Sequence, residues 1–87
     1  MINFKQRELS HNLFEQLKAR FPEIELAKIT ESYETPEAIW VHIIMPEDDD
    51  LYMAVHEMAA EISTDILITY GYHITIVSAL PSEKVVA

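Results

Sequence analysis

Apolar residues recur at four-residue spacing early in the chain: Leu9, Leu13, Leu17 and Phe21, with Phe14 widening the stripe. That spacing places them on one face of a helix and predicts one over 4–20. Asn3 is a good N-cap, and Gln6 three residues on completes the pattern of a capping box. Pro22 stops the helix. Residues 23–31 then suit a strand, with Ile24 and Leu26 alternating with Glu25 and Ala27. Ile29 breaks that alternation, which a bulge or a twist would accommodate. Glu34 to Glu37, with Pro36 inside, reads as a turn. Residues 38–45 are β-branched, aromatic and almost continuously apolar, as expected of a central strand covered on both faces. Pro46 ends it.

Glu47-Asp48-Asp49-Asp50 opens a second helix, where carboxylates offset the positive end of the helix dipole and an Asp can cap it. Leu51, Val55, Met58, Ala59, Ile62 and Ile66 line one face of it. The stretch 66–70 has strand-like composition. The continuing face and Gly71, placed where a left-handed terminator belongs, extend the helix to Tyr70 instead. Residues 72–79 give a third strand, and 80–87 a frayed tail. The result is an α+β chain of order α-β-β-α-β, one domain over 1–87. The first two strands form an antiparallel hairpin. A helix connects the second strand to the third, so those two run parallel. The second strand therefore lies in the middle of a three-stranded mixed sheet, with both helices packed on one face.

Composition narrows the function. There are 15 acidic residues against 6 basic ones, a formal charge of −9, no cysteine and one glycine. Without cysteine there is no disulfide framework, thiolate zinc site or thiol nucleophile. A single glycine cannot build a phosphate-cradling loop. The acidity opposes nucleic-acid binding. No apolar run is long enough to span a membrane, and the first residues lack a signal-peptide core, so a cytoplasmic location is expected. The charge is unevenly placed. Residues 1–28 carry five cations and four acids, whereas 29–83 carry eleven acids and no lysine or arginine. Such a surface keeps a protein soluble, and it can also present an acidic face to a cation or a basic partner.

With both helices on one face, strand alternation assigns the other. It would carry Glu25, Ala27, Trp40, His42, Ile44, His73, Thr75 and Val77. A tryptophan with aliphatic neighbours on an otherwise open sheet marks a contact surface, unless the C-terminal tail or a loop covers it. The same face offers His42 and His73 with Glu25 as a divalent-metal set. The commoner reading is histidines hydrogen-bonded in an interface. The 47–50 carboxylates lack the alternating oxygens and the glycine of a calcium loop, so capping explains them. No serine sits in a nucleophile elbow, and no triad is evident.

Residues 38–83 place a hydrophobic strand before an acidic turn and a long amphipathic helix ending in Tyr70-Gly71-Tyr72. Ile74-Thr75-Ile76 and Pro81-Ser82-Glu83 follow. This arrangement resembles the second half of the minimal nucleotidyltransferase domain. The family's Gly-Ser pair and Asp-x-Asp hold nucleotide phosphates and Mg²⁺. Here the corresponding stretches read Thr30-Glu31-Ser32 and Glu37-Ala38-Ile39, so the resemblance implies a non-catalytic relative, one that could pair with a separate helical partner. The whole chain also looks like the cytoplasmic domain of cation-efflux transporters, through Trp40-Val41-His42-Ile43 and His56-Glu57-Met58-Ala59-Ala60-Glu61-Ile62. That resemblance implies dimerisation and divalent-metal binding. The histidine expected late in the last strand is Val77 or Ser78 here.

The sequence thus predicts a non-enzymatic interaction or dimerisation module. Its contact residues are Trp40, His42, Ile44, His73, Thr75 and Val77, and its partner is a second copy or a separate protein. The alternatives are a divalent-metal domain through His42 and His73, and a degenerate nucleotidyltransferase-type protein. No cofactor is expected beyond such a metal.

Overall fold

The computed structural model describes residues 2–32, 35 and 37–84. The elements run α1 (Phe4–Arg20), β1 (Glu25–Glu31), β2 (Ile39–Ile44), α2 (Asp49–Tyr70), β3 (Ile74–Ala79) and a short 3-10 turn, Pro81–Glu83. This is the predicted α-β-β-α-β order. The sheet has the order β1-β2-β3, with β1 antiparallel and β3 parallel to the central β2.

Local chemistry sets the helix ends. At α1 the Gln6 N–H donates to Asn3 Oδ1 at 2.7 Å and the Asn3 N–H donates to Gln6 Oε1 at 2.9 Å, a reciprocal capping box. At the other end, Lys18 Nζ donates to the carbonyls of Pro22 and Ile24, each at 2.6 Å, and so ties the helix exit to the start of β1. Asp48 caps α2, accepting from the Leu51 N–H at 3.0 Å, while Asp49 and Asp50 occupy the first turn. Gly71 ends α2 in the left-handed region (φ 78), so 66–70 is helix.

One apolar core holds the layers together. Leu13 and Leu17 of α1, Val55 and Ala59 of α2, and Ile39, Val41, Ile43, Ile74 and Ile76 of the sheet are all buried. The buried sheet residues alternate along β2 and β3 and belong to one face, so both helices lie against that face. Two polar side chains, Gln6 and Ser10, are buried near the start of α1. Ser10 Oγ donates to the Gln6 carbonyl at 2.8 Å, and Gln6 Nε2 donates to the Glu37 carbonyl at 3.3 Å. Glu37 itself has a positive φ of 70.

Several expectations need correcting. Ala27 does not belong to the second face. Leu26 pairs with Ile43 and Lys28 with His42, so Ala27 is the extra residue of a bulge, and it is buried (5% exposed). The bulge shifts the alternation and carries Lys28 and Thr30 onto the second face. Leu51 keeps the phase of Val55 but, in the first turn of α2, sits at the rim of the core in a cleft with Phe21 and Pro46 and is 37% exposed. Of the predicted tail 80–87, residues 81–83 form a short 3-10 turn, and 85–87 lie outside the described residues. The Leu80 N–H donates to Glu83 Oε2 at 2.6 Å, and Lys84 Nζ meets Glu25 Oε1 at 3.0 Å. The predicted turn at 34–37 lies largely outside the described residues.

Candidate functional site

The face of the sheet turned away from the helices follows from the register. β2 supplies Trp40, His42 and Ile44. Across the antiparallel ladder these stand opposite Thr30, Lys28 and Glu25. Across the parallel ladder they stand beside Thr75, Val77 and Ala79. Five of the six predicted contact residues, Trp40, His42, Ile44, Thr75 and Val77, therefore share one surface. Of these, Thr75 is exposed and the others are half-buried. His73 precedes β3 by one residue, is exposed, and lines one depression with Trp40 and Thr75.

The metal set is dispersed. His42 stands beside Val77, so His73 lies four residues back along the parallel strand, about 13 Å at the usual rise per residue. Glu25 lies the other way, opposite Ile44, and is ion-paired with Lys84. Among the described residues no three His, Asp or Glu side chains gather as a metal site. The surroundings of His42 also differ from those of a free ligand. Its Nε2 is 2.7 Å from Thr30 Oγ1, and the Lys28 ammonium faces it across the ladder. Partial burial and that neighbouring cation hold the His42 pKa below the ordinary value of 6.5, opposed by Glu83. The imidazole is thus favoured neutral, hydrogen-bonded to a threonine and edge-on to the Trp40 ring (centroids 6.2 Å apart).

A strap crosses one end of this face. β3 finishes at Ala79, beside Ile44, yet Glu83 reaches Lys28 (3.7 Å) and Lys84 reaches Glu25 (3.0 Å) on β1 at the opposite edge. Residues 80–84 therefore span the sheet from β3 to β1 at its Ile44 end. The end bearing Trp40 and Thr75 is not crossed by this strap. Both ion pairs are well exposed and add little stability. Their effect on local charge is larger. Lys28 and Lys84 balance Glu25 and Glu83, so the second face is close to neutral. The acids of 47–65 lie at the start of α2 and along it, in the layer on the other side of the sheet.

Sequence reasoning missed Lys28, Thr30 and the strap. The signal for the first two was present in the broken alternation at Ile29, which announces a bulge in β1 without giving its position. The strap carries no such signal, because Pro81-Ser82-Glu83-Lys84 reads equally well as a solvated tail.

The site belongs to an α+β domain with a half-buried, near-neutral aromatic and aliphatic sheet face. No helix among the described residues is long and apolar enough to cross a membrane. No known family, curated protein or solved structure matches the chain.

Proposed function

We propose that the chain is a non-catalytic interaction module whose contact surface is the second sheet face, centred on Trp40, His42, Ile44 and Val77. One observation carries the reading: all the helical cover lies on the opposite face, while this one keeps a tryptophan, an isoleucine and a valine at half burial. Apolar and aromatic area of that kind gains free energy when a second surface removes it from water. The balanced charges of Lys28, Lys84, Glu25 and Glu83 support the same reading. A chain of charge −9 repels a second copy in general, but here the repulsion is locally cancelled. The partner is therefore apolar at its centre and neutral at its rim, and a second copy meets that description.

Trp40 is the sole tryptophan, so its fluorescence reports this face directly. Light scattering combined with acrylamide quenching should show association together with concentration-dependent shielding of Trp40. A strict monomer with a freely quenched Trp40 would sink the proposal.

A further inference from the structure

The two edges of the sheet are built differently. β1 carries the bulge at Ala27 and the charged side chains of Glu25, Lys28 and Glu31, and Lys84 reaches across to it. Bulges and charges are what natural sheets use to discourage a further strand from adding. β3 has neither. It pairs with β2 without a register shift, is β-branched from Ile74 to Val77, and lies within residues 66–82, which contain no Asp, Glu, Lys or Arg.

The ladder also fixes which way its backbone points. The Ile39 N–H donates to the His73 carbonyl at 2.8 Å. In a parallel pair this phase turns the backbone groups of His73, Thr75, Val77 and Ala79 toward β2 and those of Ile74, Ile76 and Ser78 outward. Among the described residues no backbone group from outside the sheet takes up these outward N–H and C=O groups. At the Ile74 end of this edge opens a depression of about 390 Å³, between Leu67 of α2 and His73, Ile74 and Thr75, and it reaches across the start of β2 to Ala38 and Trp40. None of its lining residues is an Asp, Glu, Lys or Arg. Just past β3, Leu80 is still extended (φ −82, ψ 152) and is 67% exposed.

We propose that β3 pairs with β3 of a second copy, antiparallel about a two-fold axis at Ile76. In that register Ile76 faces its own copy, and Ile74 faces the partner's Ser78. Each outward N–H and C=O of the three residues then has a partner, as an isologous contact requires. Carried on by two residues, the register sets Leu80 against the partner's Tyr72, beside the depression at Leu67. A second copy is the occupant because the pairing set is self-complementary and the edge carries no charge to select a charged partner. The product is a continuous six-stranded sheet in which two second faces lie side by side. This inference stands apart from the face reading, since an edge contact does not stack a second surface on the second sheet face.

The test is sedimentation equilibrium of the full chain from micromolar to millimolar concentration. Ser78→Pro removes an outward N–H that the single copy does not use. Leu80→Glu puts a carboxylate where the partner's Leu67 should pack. The wild type should dimerise, and each variant should raise the dimer Kd about tenfold or more. Glu15→Ala, exposed on α1 and outside both surfaces, should leave that constant unchanged. Circular dichroism checks that Ser78→Pro folds; if it does not, Leu80→Glu decides. A monomeric wild type, or variants that dimerise as the wild type does, would overturn the proposal. Loss of the dimer in Trp40→Ala alone would overturn it too and assign the contact to the face.

Discussion

Deleting Ala27 should leave the fold intact, although it removes a residue from the middle of a strand. Glu25 already pairs with Ile44, Leu26 with Ile43, Lys28 with His42 and Ile29 with Val41. Without Ala27 those pairs become a regular ladder, and every side chain keeps its face. What is lost is one buried methyl, worth about 1 kcal/mol at roughly 0.8 kcal/mol per buried carbon. In a domain of this size that lowers Tm by about 4–8 °C. Deleting Ile29 removes the same number of residues with a different result. The bulge is absorbed, but Lys28 now stands opposite Val41 on the core face, and Ile29 is gone. The cost of placing an ammonium there, added to the lost side chain, is on the order of 3 kcal/mol or more. Urea titrations followed by circular dichroism measure both losses. Equal destabilisation by the two deletions would refute the bulge as the element that assigns β1 side chains to faces.

Other outcomes follow from single contacts. Gln6→Leu leaves the Asn3 N–H and the Glu37 carbonyl without their buried partner and should cost about 1–3 kcal/mol in the same titration. Gly71→Ala forces a Cβ into the left-handed region (φ 78), where nothing crowds it, so the cost is backbone strain alone, about 1 kcal/mol. The pH dependence follows from His42. Its pKa is lower in the folded state, so the unfolded chain takes up the proton first. This contribution is whole above the ordinary histidine value of 6.5 and is lost as pH falls through that value toward the folded one. Thermal melts at neutral and mildly acidic pH should show a smaller acid loss in His42→Gln than in the wild type, and equal losses would contradict the assignment.

Much of this fold was legible because local signals agreed with one another. Asn3 with Gln6, Pro22, Asp48 and Gly71 are residues whose chemistry acts within one turn, and each marks a helix end where the structure has it. The alternation in β2 and β3 identified the buried face for the same reason, since strand geometry alone sets it. The less legible features depend on partners distant in sequence. Nothing near Ala27 states that it, rather than a neighbour, is left unpaired, because that depends on how Lys28 and Leu26 meet β2. The span of residues 80–84 depends on Glu25 and Lys28, more than fifty residues earlier. Grouping His73 with His42 rested on parity, which gives the face of a residue but not its position along the strand.

The central claim is that the face bearing Trp40, Ile44 and Val77 is covered in solution. The most direct measurement is solvent paramagnetic relaxation of side-chain protons, recorded at low and high protein concentration. Phe4 and Ile68, exposed on the helices at 81% and 76%, serve as internal references. Relative to those two, relaxation at Trp40, Ile44 and Val77 should fall as concentration rises. Relaxation at the three that stays proportional to the references at every concentration would contradict the account.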